Sequence, residues 1–147
     1  IILMTTNLAQ HLSLDESVDP LAESTRELVI EELRTIFPQE LINRVDDFLL
    51  FRALLTEHIE KILLRQIRTL NKRLAKNTEI SVVLSDENIA QIVADRYKRE
   101  EGARQVKKFI SNKLDRMIAD YVFAHPEGGK IVANYTGETF ELNFEAN

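Results

Sequence analysis

Glu101-Gly102-Ala103-Arg104-Gln105-Val106-Lys107-Lys108 is the stretch of this chain best equipped for chemistry. Gly102 and Ala103 carry almost no side chain, so the backbone there can approach another object closely. Arg104 stands near the start of an apolar-periodic helix, where free N–H groups and the macrodipole favour an anion. The combination describes a phosphate sensor. Taken alone, it also describes a tightly packed helix start with a solvated basic face, which is the commoner meaning of so short a motif.

The remaining polar clusters point to less. Asp46-Asp47 is a carboxylate pair, but neighbours on a strand face opposite ways, so a shared-proton dyad is not expected. His11, His58 and His125 show no metal-ligand spacing. With no cysteine, neither a disulfide nor a thiolate metal site can form; together with the histidine spacing, this leaves no metal expected. Lys61, Arg65, Arg68, Lys72, Arg73 and Lys76 form a basic run without an acid, whereas Asp15 to Glu32 is acidic with Arg26 the one base. The basic run lacks interleaved aromatics and the chain carries a net charge of -5, so it reads as a solvated helix face and not a nucleic-acid groove.

These groups need positioning elements. An apolar share of 44% over 147 residues is that of a globular chain with a core. No apolar run approaches the roughly 20 residues that span a bilayer, so no membrane partner is expected. Residues 1–5 read as a buried strand, and a chain that opens mid-strand suggests a piece of a longer protein. After a loop, Leu21, Leu28, Val29, Leu33, Ile36 and Phe37 predict a helix over roughly 21–36, stopped by Pro38. A short helical turn is expected at 39–44. Phe48-Leu49-Leu50-Phe51 reads as a second buried strand. Thr56 is the expected N-cap of a long helix with Ile59, Ile62, Leu63, Ile67, Leu70 and Leu74 on one face. Ile80, Val82 and Leu84 alternate as a strand. Ser85 opens a helix with Ile89, Ile92, Val93 and Tyr97 inward. Val106 through Val122 predict a third long helix, ended by His125-Pro126-Glu127-Gly128-Gly129. Two final strands, around Ile131–Tyr135 and Phe140–Phe144, join through a turn at Gly137.

Four local features, in order, resemble the Clp-type AAA+ ATPases. Met4-Thr5-Thr6-Asn7-Leu8 is similar to the strand end that carries their sensor-1 residue. Phe37-Pro38-Gln39-Glu40-Leu41-Ile42-Asn43-Arg44-Val45-Asp46 resembles their F-x-P-E-F-x-N-R-x-D segment. Phe51-Arg52-Ala53-Leu54 stands at the family's F-x-P-L hinge, and Gly102-Ala103-Arg104 matches its G-A-R sensor-2 motif. The chain departs from the pattern in four ways: Pro38 comes one place early, Leu41 replaces a phenylalanine, Ala53 replaces the hinge proline, and Tyr97-Lys98-Arg99-Glu100 lacks the usual spacer.

The resemblance implies an α+β, mainly helical fold: residues 1–51 as the tail of an α/β P-loop ATPase core, and 52–147 as a small lid domain with a small antiparallel sheet. It gives Asn7 the sensor-1 role beside the attacking water, although Asn7 could equally cap the next turn. Arg44 becomes an arginine finger supplied in trans; its residue-level alternative is a surface ion pair to Asp46 or Asp47. Arg104, presented by Gly102 and Ala103, becomes sensor 2 on the β- and γ-phosphates, and Ile62 an apolar wall beside adenine. The implied cofactor is ATP or ADP with magnesium in a longer parent. The chain itself has no G-x-x-x-x-G-K-[ST] loop and no acidic Walker-B strand, so it is not expected to hold nucleotide tightly or to hydrolyse it. Implied partners are neighbouring subunits of a hexameric ring and unfolded proteins; a peptidase is left open. A cytoplasmic location goes with this reading. The alternatives are a standalone helical interaction module whose basic helix docks an acidic partner, and the lid of a AAA+ protein from another branch.

Overall fold

The computed structural model describes residues 1–124 and 128–145. Two units divide the chain, Ile1–Ala53 and Leu54–Asn147.

In the first unit, α1 (Gln10–Leu14), α2 (Glu23–Arg34) and α3 (Gln39–Ile42) surround a small core of Ala9, Val29, Leu33 and Ile42. Phe37, Phe48 and Leu50 pack against it. Pro38 ends the preceding segment in extended backbone and stands as the cap of α3, consistent with its lost N–H donor. α1 forms where the sequence reads as a loop. It follows Ala9, a buried residue in the left-handed region at φ 58°, whose N–H donates to Glu32 Oε1 of α2 at 2.7 Å. That bond and the buried methyl hold a conformation that a non-glycine residue otherwise avoids.

The two strands expected at 1–5 and 48–51 do not form. A strand exists by its ladder, and neither run finds a pairing partner among the described residues. Ile1, Ile2, Leu3 and Met4 are exposed, as are Leu49 and Phe51.

In the second unit, α4 (Thr56–Leu74) buries Ile59, Leu63, Ile67 and Leu70, one stripe at helical spacing. Thr56 is its first residue and Leu55 holds the cap position. Leu55 has no side-chain oxygen to cap the first turn, and its own N–H donates to His58 Nδ1 at 3.1 Å. β1 (Ile80–Leu84) follows, with Ile80, Val82 and Leu84 buried and Ser81 and Val83 outward. α5 (Asp86–Arg96) is capped as expected: Ser85 Oγ accepts the Asn88 N–H at 3.2 Å.

The third long helix is continuous but not uniform. α6 (Arg104–Ile110) passes through a π-helical turn, Ser111–Asp115, into α7 (Arg116–Ala124). Val106, Ile110, Leu114 and Ile118 are all buried, and their strict four-residue spacing explains the turn. In a regular α-helix each four-residue step drifts by about 40° around the axis. The wider turn removes part of that drift and keeps all four side chains facing the core. The expected breakers His125-Pro126-Glu127 lie outside the described residues.

The sheet is mixed and not antiparallel throughout. β2 (Gly129–Tyr135) lies between its neighbours, parallel to β1 with Val82 opposite Ile131, and antiparallel to β3 (Phe140–Glu145) with Ala133 opposite Leu142. A parallel pair needs a long crossover, and α5 through α7 provide it. Gly129 is required at the start of β2, since a Cβ there would lie 2.4 Å from the Phe144 ring.

Among the described residues β1 pairs with one strand, so its other edge has no neighbouring strand. Asn71 of α4 covers it: Nδ2 donates to Val82 O and Oδ1 accepts the Val82 N–H, both at 2.8 Å. One amide side chain thus stands in for a missing strand. Asn71→Ala leaves two part-buried backbone groups unsatisfied and should lower unfolding free energy by about 1–3 kcal/mol in urea titrations. A loss below about 0.5 kcal/mol would contradict this assignment.

Candidate functional site

Arg104 is the first residue of α6, and the loop before it is short and fully tied. α5 ends at Tyr97, whose hydroxyl donates to Leu54 O. Lys98 and Gly102 then form an isolated antiparallel bridge around the 3₁₀ turn Arg99–Glu101. Within it, the Glu101 N–H donates to Lys98 O at 3.1 Å and the Gly102 N–H to Arg99 O at 3.3 Å. Gly102 has φ 58° and ψ -150°, a region essentially closed to residues with a side chain. No atom lies within 4 Å of where its Cβ would stand. The glycine is therefore needed for its backbone angle, and the space beside it is open. Ala103 packs against the core, and its carbonyl accepts the Lys107 N–H at 3.0 Å to begin the helix.

Arg104 itself is exposed, and among the described residues its guanidinium has neither hydrogen bond nor ion pair. A cation is held at a helix start, beside open space, by a loop with its own hydrogen bonds. Such an arrangement can take an anion without first breaking an internal salt bridge.

Ile62 is half-buried on α4 and packs against the same core as Ala103. Gln66 Nε2 donates to Lys107 O at 3.3 Å and to Ser111 Oγ at 3.1 Å, and Arg73 reaches Asp115 at 3.4 Å. These pairings advance in the same sense along both helices. Ile62 stands one turn before Gln66 on α4.

Asn7 and Arg44 belong to the first unit, and both are exposed. The turn-capping alternative for Asn7 is filled by its neighbour: Thr6 Oγ1 accepts the Leu8 N–H at 3.2 Å. Arg44 forms no ion pair with Asp46 or Asp47. Asp47 instead faces Arg26 Nε at 3.6 Å and accepts the Phe48 N–H at 2.8 Å. Asp15 has its carboxyl held below its ordinary 3.8 by the Ser17 hydroxyl and N–H, and serves the turn after α1. No group of three or more potential metal ligands occurs among the described residues.

Comparison with known proteins assigns the fold. Residues 54–133, more than half of the chain, match the family described as the C-terminal, D2-small domain of ClpB protein. The chain belongs to the ClpB D2-small family. It is 32% identical over 133 residues to the chaperone protein ClpB of Lactococcus lactis subsp. cremoris, covering 89% of this chain and 15% of that protein. Against ClpB of Clostridium perfringens the figure is 34% over 125 residues, covering 84% and 14%. This chain thus spans about one seventh of the length of these relatives. Among solved structures, Saccharomyces cerevisiae Hsp104 in an extended complex with casein matches with a TM-score of 0.65 and 22% identity, covering 84% of this chain and 22% of that one. At that identity the likeness speaks for the fold alone, mainly helical with a small mixed sheet. No helix among the described residues is long and apolar enough to cross a membrane.

The sequence marks Tyr97 as an inward ring of α5, and nothing in it marks the partner of its hydroxyl, 43 positions away. Gly102→Ala should destabilise the second unit by about 1–3 kcal/mol through backbone strain alone. Thermal or urea unfolding measures it, and a neutral or stabilising effect would show that the loop does not need its glycine angle.

Proposed function

We propose that this chain is the nucleotide-sensing and subunit-contact segment of an ATP-driven Clp-type unfoldase or disaggregase. The observation that carries the reading is Arg104: an unpaired, exposed arginine at the first position of α6, behind a glycine held at φ 58°, in a chain of the ClpB D2-small family. Arg104 acts as sensor 2, binding the β- and γ-phosphates of ATP in cis. Ile62, one turn before Gln66 on α4, walls the adenine side. In the first unit, Asn7 acts as sensor 1 and orients the attacking water, and Arg44, free of the neighbouring carboxylates, is the finger offered to an adjoining subunit.

ATP with magnesium is the cofactor of the whole protein; bound nucleotide supplies the triphosphate whose charge these arginines meet. The phosphate-cradling loop and the magnesium-holding acid come from outside these 147 residues, since neither motif is in the sequence. Neighbouring subunits of a hexameric ring and unfolded proteins are the partners, in the cytoplasm.

Two substitutions in the full-length protein test the assignment. Arg104→Ala removes a charge-assisted bond worth about 1.5–3 kcal/mol, so ATP affinity should fall by about tenfold or more. Arg104→Lys should restore only part, because an ammonium does not reproduce the planar fork. Unchanged affinity, ring assembly and turnover in Arg104→Ala would leave the sensor role without support. Arg44→Ala should keep nucleotide binding close to wild type and lower turnover by about 10³-fold or more, the range of a finger acting in the transition state. Full turnover by Arg44→Ala subunits without any wild-type subunit present would refute action in trans.

A further inference from the structure

The sheet of the second unit has two edges, and they are finished differently. On the β1 side, Asn71 meets both main-chain groups of Val82, and Thr78 Oγ1 accepts the Ile80 N–H at 3.4 Å. β3 forms the other edge, and among the described residues it pairs with β2 alone.

The register tells which groups of β3 point away from β2. The Thr136 N–H donates to Thr139 O at 3.0 Å across the turn. Bonded and non-bonded pairs alternate along an antiparallel ladder, so Glu141, Asn143 and Glu145 turn their main-chain groups toward β2. Tyr135, opposite Phe140, gives its N–H to Asn88 Oδ1 at 2.7 Å and not to β3. Phe140 and Leu142 therefore turn theirs outward, and neither has a main-chain hydrogen bond among the described residues. No proline, bulge or capping amide blunts this edge among them. A row of unpaired N–H and C=O groups is a template for a further strand.

The side chains beside the edge select the strand that fits. On the outer face Glu141 and Glu145 are exposed, and Glu138 is exposed in the turn before them. Lys130 meets Glu145 at 2.9 Å, whereas Glu138 and Glu141 have no ion pair among the described residues. On the inner face α7 runs along the strand: Met117 Sδ lies 3.8 Å from Thr139 Oγ1, and the Tyr121 ring 5.7 Å from that of Phe144. Met117, Tyr121, Leu142 and Phe144 pack against the core yet remain half-buried. Alternate side chains of an added strand would meet carboxylates on one face and this half-covered apolar shelf on the other. A second copy of β3 matches poorly, because it brings its own Glu138, Glu141 and Glu145 to the same edge.

We propose that the free edge of β3 docks an extended segment of another protein, one that alternates lysine or arginine with apolar residues, as a fourth strand of the sheet. The main chain of the segment would bond Phe140 and Leu142, and its cations would face Glu138 and Glu141. This reading does not depend on the role given to Arg104.

The probe is a fluorescein-labelled octapeptide of alternating lysine and valine, titrated into the full-length protein and followed by anisotropy and by hydrogen exchange. Anisotropy reports binding anywhere on the protein, so exchange within residues 139–145 decides the place. At saturation the peptide should slow exchange there by about tenfold or more. The same peptide with glutamate for lysine should bind more weakly, since like charges then face each other. Leu142→Pro removes one outward N–H and leaves the β2 ladder its bonds, so affinity for the lysine peptide should fall by about three- to tenfold. Glu141→Lys changes an exposed side chain, and should lower affinity by about two- to tenfold at low salt and less at high salt. It carries the test should the melting temperature show Leu142→Pro unfolded. Binding without slower exchange at 139–145, or unchanged affinity in Glu141→Lys, overturns the proposal. Slower exchange there on concentrating the protein without peptide would give the edge to a second copy and overturns it as well.

Discussion

Burial of one stripe of α4 is the interaction on which the second unit depends. Ile59, Leu63, Ile67 and Leu70 each remove a large aliphatic side chain from water, worth about 1.5–3 kcal/mol apiece. Those four positions fix the rotation of the helix, and its other faces inherit their roles from that. Asn71, next to the stripe, meets the bare edge of β1; Gln66 meets the helix that begins with Arg104; the first turn meets the peptide at the junction. Lys61, Arg65, Arg68 and Lys72 are left outward, which is why a chain of net charge -5 carries an uninterrupted basic face. A polar substitution at Leu63 or Ile67 would therefore disturb the edge of β1 and the packing of α6 together.

Arg104 gains its chemical value from what surrounds it. An arginine on a mobile loop would lose side-chain and backbone freedom on meeting phosphate, and that cost would offset much of the charge-assisted bond. Here the backbone cost is met in folding. The Lys98–Gly102 bridge, the left-handed Gly102 and the buried Val106 and Ile110 fix where α6 starts before any ligand arrives. The π-helical turn belongs to the same economy of space, because it keeps the far end of that helix on the core that steadies its near end.

Much of this was legible in the sequence, and the parts that were not share a physical cause. The stripes of α4 and α5, the Ser85 cap and the β2–β3 hairpin are local patterns, and each forms where its period or turn chemistry places it; in α2 only Val29 and Leu33 of the expected stripe are buried, and Leu21, Leu28 and Ile36 are exposed. Strand pairing is not local: Ile80, Val82 and Leu84 announce a strand, but nothing in them says that it lies parallel to β2. The runs at 1–5 and 48–51 have strand-like composition and no ladder among the described residues, so composition alone misassigned them. The π-helical turn and α1 were missed because four-residue spacing also fits an ordinary helix and a five-residue helix carries too little pattern. Among the site residues, the G-A-R motif drew attention to Arg104, and the structure adds why the glycine is there. The hydroxyl of Tyr97 was invisible because an inward aromatic ring already explained the residue.

The central claim is that Arg104 meets the terminal phosphates of a nucleotide bound by its own subunit. The most direct test is photo-crosslinking of the full-length protein with an ATP analogue that carries its reactive group on the γ-phosphate, followed by mapping of the labelled peptides. The account predicts ATP-competable adducts in residues 102–108. Saturable, competable labelling elsewhere in the protein, with none in that segment, would contradict it.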